Sequence, residues 1–414
     1  MNTINNNLKE NWLKNIILFL SSQTISLFGS SLVQYAIMWH ITLTTESGLM
    51  MTLYIICGFI PTFILSPVAG VWADRYNRKR LIILADSLIA IATLLLAILF
   101  LMGFNAIWLL FLMAAVRAFG TGIQMPAVGA ILPQIVPKDK LTKVNGANGS
   151  IQAIIMFVSP LVSAALLGMT SIEMIFFIDV ITAAIAIVTL LGFLKITVHE
   201  KAAEKQTTSY LSDFKQGLQY VNNHDFLKKF FLFFAVFFVL MAPASFLTPL
   251  QVTRSFGDDV WRLSAIEIAF SIGMMVGGGI IASWGGFKNK IKTLGFASII
   301  MGMCTFALGI VPDFWVYLAF MALFGVALPI FNTPATVLLQ EKIEEDYLGR
   351  VFGVMGMIST SMMPLGMLIF GPIADIIKIE WLLLGTGIFI IILAIFLSRN
   401  KVLIEAGKPA LKES

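Results

Sequence analysis

The sequence predicts an all-α membrane protein, with twelve transmembrane helices in two six-helix pseudo-repeats and both termini in the cytoplasm. Three observations predict it. Of 414 residues, 58% are hydrophobic and only 12% charged, about half the charged fraction of a soluble domain. The apolar residues fall in runs of about 20 or more, the length a helix needs to cross the hydrocarbon core. The basic residues collect in short clusters at alternate gaps between those runs.

The same composition excludes other classes. A soluble chain of this length needs Lys and Glu to cover its cores, and this one lacks them. The net charge of +5 could suggest nucleic acid, but short basic clusters between apolar runs are the pattern of topology rather than of phosphate binding. The alternating ten-residue segments of a membrane barrel are absent. Cys57 and Cys304 lie far apart in separate apolar runs, so neither a disulfide framework nor a metal site is expected.

The spans follow in order. The N-terminal MNTINNNLKENWLKN leads into an apolar run (15–42) far longer than a signal-peptide core, expected to be a retained first helix. Span 2 (48–73) carries no charge, and span 3 (80–102) is broken after Arg80 only by Asp86. Span 4 (106–127) contains Arg117. Span 5 (144–168) follows Lys143, and span 6 (172–195) contains Asp179. A polar stretch, 195–229, then divides the chain. Span 7 (229–252) is rich in phenylalanine, and span 8 (263–285) contains Glu267 with Arg262 just before it. Spans 9 (291–311), 10 (314–338), 11 (351–374) and 12 (381–398) complete the set. The expected organisation is a first half over 1–197, a cytoplasmic linker over 198–228, and a second half with a short cytoplasmic tail over 229–414.

An even number of spans puts both termini on one side. With the N-terminus inside, 24 of the 28 basic residues fall in inner segments. Only Arg254, Arg262 and Lys378 fall outside, and Arg117 lies within a span. Positive charge is retained on the cytoplasmic side, so the chain should be N-in and C-in. The halves also echo each other. MPAVGAILPQIVPKDKLTKVNG (125–146) and TPATVLLQEKIEEDYLGRVFG (333–353) both read Pro-Ala, an apolar run, a charged loop, then a basic-Val-x-Gly entry to the next helix. Repeated six-helix halves are one way in which transporters are built.

The loop between spans 2 and 3, GVWADRYNRKR (70–80), resembles the signature of the major facilitator superfamily, Gly-x-x-x-Asp-Arg-x-Gly-Arg-Lys. Gly70, Asp74, Arg75, Arg78 and Lys79 match it. Asn77 replaces the second Gly, a mild departure because Asn also tolerates a left-handed turn. LIILAD, EIAFSIGMMVGGGI and EDYLGRVFG are similar to the macrolide-efflux-like drug:proton antiporter branch.

The resemblance implies a gating role for the loop. Its Asp would dock at the start of span 11, where a helix N-terminus favours a carboxylate, and the Arg residues would tie down neighbouring polar groups. The basic residues would also enforce orientation. In the second half, GIIASWGGFKNK (279–290) has Ser283 where the acid would be, so one such latch is expected. The function implied is proton-coupled efflux of amphipathic, macrolide-type compounds across the bacterial cytoplasmic membrane by alternating access. The alternative is export of one endogenous metabolite, such as a siderophore or peptide, on the same scaffold. Neither reading involves an enzyme, cofactor, metal, nucleic acid or obligatory protein partner. The expected partners are a small amphipathic substrate, protons and the bilayer. SPLVSAALLG (159–168) keeps Pro160 of the antiporter signature but has Ser159 in place of its Gly.

Charge within a span costs a few kcal/mol or more and needs a reason. Helical rise puts Asp86 about 10 Å and Arg117 about 15 Å from the cytoplasmic face, so the two are expected to pair. Asp179 and Glu267 lie in the outer half of their spans, where burial alternating with water access suits a proton carrier. The proton-coupling candidates are therefore Asp179, Glu267, Asp86 and Arg117. His40, near the outer end of span 1, is expected to be interfacial. Gln34, Gln124 and Gln152 are the candidate substrate contacts. The Phe residues of span 7 and the 21 Met residues suit either an adaptable apolar cavity or plain packing.

Overall fold

The computed structural model describes residues 12–137, 140–193 and 210–408. Among them the regular elements are α-helices. The first six are α1 (Trp12–Thr45), α2 (Gly48–Arg75), α3 (Arg78–Leu101), α4 (Ile107–Ile135), α5 (Leu141–Met169) and α6 (Ile172–Phe193). α7 (Tyr210–Asn223) lies in the segment expected to be linker. α8 (Asp225–Phe246) runs into the short α9 (Thr248–Phe256). Then come α10 (Val260–Trp284), α11 (Lys290–Leu308), α12 (Phe314–Lys342), α13 (Glu345–Ile373), α14 (Ile379–Arg399) and α15 (Lys401–Ala406). Among the described residues, twelve stretches are long and apolar enough to cross a membrane: α1 to α6, α8 with α9, and α10 to α14.

Several ends fall beyond the apolar runs. α4 continues to Ile135 and α12 to Lys342, because helical hydrogen bonding does not stop where hydropathy does. Each closes on a β-branched residue in an extended conformation. Val136 has φ −109° and ψ 133°, and Ile343 has φ −108° and ψ 135°. The echo between the two chain segments thus extends to backbone dihedrals. α3 starts where it does because the Asn77 side chain accepts the Arg80 N–H at 3.2 Å. Asn77 has φ −65° and ψ 110°, so it is an N-cap and not the left-handed turn residue expected from the sequence.

The described residues form two compact units. One holds 12–41 and 53–193, and the other holds 42–52 and 210–408. In the first, Phe19, Ile82, Ala127, Ile131 and Leu190 are fully enclosed by one another and by Ile16, Leu81 and Val144. In the second, α10 and α12 cross at glycines. A Cβ on Gly273 would lie 2.0 Å from Ala322 O, and one on Gly277 would lie 2.2 Å from Val326 O. Small residues give backbones this proximity in a bilayer, where lipid supplies no hydrophobic drive between helices. The Phe series of α8 is core. Phe230, Phe234 and Phe237 are fully buried, and Phe237 stacks on Phe331 of α12 at 4.5 Å.

Candidate functional site

The first unit gathers the buried charges. On α4, Arg117 directs one terminal nitrogen to Asp179 Oδ2 of α6 at 2.6 Å. The same nitrogen donates to Thr93 Oγ1 of α3 at 3.0 Å, and the other terminal nitrogen donates to Ser30 O of α1 at 3.0 Å. The Ser30 hydroxyl donates to Asp179 Oδ1 at 3.2 Å. Asp179 is fully buried. Four helices therefore meet at one charge-assisted network, which suits a low-dielectric setting only because its charged groups are partnered. Gly29 makes room for it, since a Cβ there would strike Thr182 Oγ1 at 2.0 Å.

Asp86 forms a second level. Its Oδ1 accepts from Gln124 Nε2 at 2.6 Å, and Ser26 Oγ lies 3.4 Å away. Oδ2 has no hydrogen-bond partner although the side chain is only 2% exposed. Asp86 precedes Thr93 by two helical turns, as Arg117 precedes Gln124, so the levels lie about 10 Å apart by helical rise.

The expected Asp86–Arg117 pair is therefore corrected. Arg117 pairs with Asp179 instead. The cause is the end of α4: a depth counted from residue 127 leaves out the helical residues that follow, and the helix runs to Ile135. That places Arg117 about 27 Å from the inner end of its helix, well above Asp86. The hydroxyls of Ser26, Ser30 and Thr93 were not anticipated. Their signal was spacing: each lies on the helical face of a singled-out residue or one turn from another such hydroxyl.

The other candidates are dispersed. Glu267 is half-buried on α10, and the nearby Arg262 pairs with Asp259 at 3.3 Å. Gln34 and Gln152 are exposed. In the loop motif, Arg78 donates to Ala73 O at 2.9 Å and to Ala130 O at 2.8 Å, and Lys79 Nζ lies 3.4 Å from Leu191 O. The side chains of Asp74 and Arg75, and the surroundings of Gly70, lie outside those described. No cluster of three or more potential metal ligands occurs among the described residues.

A family model of the Major Facilitator Superfamily matches residues 15–367. The chain belongs to the major facilitator superfamily. It is similar to "Macrolide efflux protein A" of Streptococcus pyogenes, with 30% identity over 93% of this chain and 95% of that one. The "Multidrug efflux pump Tap" of Mycolicibacterium fortuitum is 24% identical over 95% of this chain and 98% of its own. Among solved structures, a bacterial homologue of the human lysosomal transporter Spinster, in an inward-facing and unoccupied conformation, superposes with a TM-score of 0.73. That match has 13% identity and covers 97% of this chain and all of the other, so it speaks to fold. This superfamily member is a transporter and not an enzyme, and it is a multi-pass protein of the bacterial cytoplasmic membrane.

Proposed function

We propose that the chain exports amphipathic, macrolide-type compounds by alternating access, driven by the proton gradient. The observation that carries the substrate class is the 30% identity to a macrolide efflux protein over nearly the whole of both chains. The coupling reading is supported by Asp86. A buried carboxylate whose Oδ2 has no partner, with the neighbouring guanidinium committed to Asp179, is costly as an anion. A proton removes the charge, and contact with water in another state of the cycle lets it leave. Arg117 and Asp179 hold α1, α3, α4 and α6 in register around it. Gln34 and Gln152 contact substrate. The Gly70–Lys79 motif closes the cytoplasmic side, with Asp74 as its latch.

The test is macrolide susceptibility of a pump-deficient host expressing the chain, with and without an uncoupler. Expression should raise the inhibitory concentration several-fold, and the uncoupler should abolish intracellular exclusion of labelled macrolide. Unchanged susceptibility removes the substrate reading. Exclusion that survives the uncoupler removes the proton.

A further inference from the structure

A second polar centre lies in the other unit, at the start of α2. Residues 42–52 group with this unit, while α2 from Leu53 onward belongs to the first. Glu46 turns the chain with φ 45°, the left-handed region, and α2 begins two residues later. Its first N–H groups lack helical acceptors and point at Asp375, just past the end of α13. Gly48 N–H donates to Asp375 Oδ1 at 2.7 Å and Leu49 N–H to Oδ2 at 2.9 Å. Ser47 Oγ donates to Oδ2 at 2.8 Å. Arg254, at the end of α9, contacts Asp375 Oδ1 at 3.1 Å and donates to Ala374 O at 2.6 Å and to Glu46 O.

The helices beneath touch backbone to backbone. A Cβ on Gly48 would lie 2.3 Å from Gly371 O, and one on Gly371 would lie 1.7 Å from Thr52 Oγ1. Thr52 also hydrogen-bonds Met367 O at 3.1 Å. One carboxylate thus caps one helix, closes off the end of another and neutralises an arginine from a third. The bonds are short and directional but partly solvated, since both side chains are about 30% exposed. Such a junction is strong when made and can be released to water at modest cost, unlike the fully buried Arg117–Asp179 pair.

We propose that Asp375 and Arg254 form a catch on the side away from the basic clusters, and that each transport cycle opens it by freeing the first turn of α2. The catch stands on α2, α9 and α13, and needs neither the proton nor the macrolide reading. Its test therefore uses no substrate and no gradient. Thr52→Cys, in a Cys57→Ala, Cys304→Ala chain reconstituted in nanodiscs, is labelled with a bulky thiol reagent, and amide exchange of 48–52 is followed in parallel in the native-cysteine chain.

With the catch intact, both should be slow but finite. Asp375→Asn and Arg254→Gln, made separately, should each raise both rates about tenfold, the loss of one charge-assisted hydrogen bond. Combining them should add little, because each variant opens the same element. Unaltered rates in the variants overturn the proposal and leave a static staple. So does complete protection of the introduced thiol in the otherwise native catch. The exchange arm and the Arg254→Gln variant keep the proposal open to refutation if Asp375→Asn does not insert.

Discussion

At the scale of residues, the two buried acids of the first unit differ in partnering, Asp179 being ion-paired and Asp86 not, and substitution should separate the tasks proposed for them. Asp179 is held by Arg117, Ser30 and Thr93. Either Arg117→Gln or Asp179→Asn alone strands a buried charge, a loss of about 3–5 kcal/mol. The double variant should be more stable than the sum of the singles by about 1–3 kcal/mol in a double-mutant cycle, and strict additivity would refute the pair. Asp86→Asn should behave differently. The amide keeps the acceptor for Gln124 and has no negative charge to bury, so thermal stability should hold or rise while uphill efflux in energised vesicles is lost. Retained uphill efflux would exclude Asp86 as the carrier. Asp86, Arg117 and Asp179 were visible in the sequence as charge in apolar runs. Their pairing was not, because it depends on where α4 ends, and the local signal for that end, Pro137 after Val136, lies well beyond the apolar run counted as the span.

At the scale of elements, the helices were legible in the sequence and their joints largely were not. The twelve spans follow from composition, whereas α7 is polar enough to read as linker. The catch shows why joints are hard to read. GVWAD at 70–74 recurs as GPIAD at 371–375, yet the repeat-equivalent place to look for the acid is 279–290, where Ser283 stands instead. The caps of α2 and α3 are likewise set by single residues. Two predictions belong here. Gly277→Ala would drive a methyl against the Val326 carbonyl of α12, which backbone cannot yield, so a loss of about 1–3 kcal/mol in thermal unfolding is expected; unchanged stability would mean that the crossing is loose. The second concerns pH. Burial acts to raise the pKa of Asp375, but hydrogen bonds from Leu49, Ser47, Gly48 and Arg254 outweigh it and hold it below the ordinary carboxylate value. Arg254 faces the acid directly, and Glu380 reaches the same region through Ser255 at 2.8 Å. A depressed carboxylate stabilises above its unfolded pKa and loses that contribution as pH falls through its folded pKa. Exchange of the amides at 48–52 should therefore keep its protection, corrected for intrinsic rate, across neutral and mildly acidic pH. Protection should fall only below the ordinary carboxylate range, and loss near pH 6 would contradict the assignment.

At the scale of the whole molecule, orientation is what turns these local arrangements into a direction of transport. The basic residues divide so unevenly between alternate gaps, 24 to 3, that the chain should insert with both termini in the cytoplasm. Two of the three on the sparse side are held in ion pairs. Arg254 is engaged by Asp375, and Arg262 by Asp259, while Lys378 directly precedes α14. The rich side includes the cluster opening α3 and Lys290 and Lys292 opening α11. A helix N-terminus disfavours a cation, so the presence of basic residues at these positions is better explained by topology than by helix stability. A fluorescent protein fused at the C-terminus should mature and fluoresce. Alkaline phosphatase fused in the turn between α11 and α12, before Asp313, should be active, and the same enzyme fused in the turn between α10 and α11 should be silent. The reverse pattern would invert the chain. It would place the Asp375 catch on the cytoplasmic side and the Gly70–Lys79 motif outside, and the export reading could not survive that.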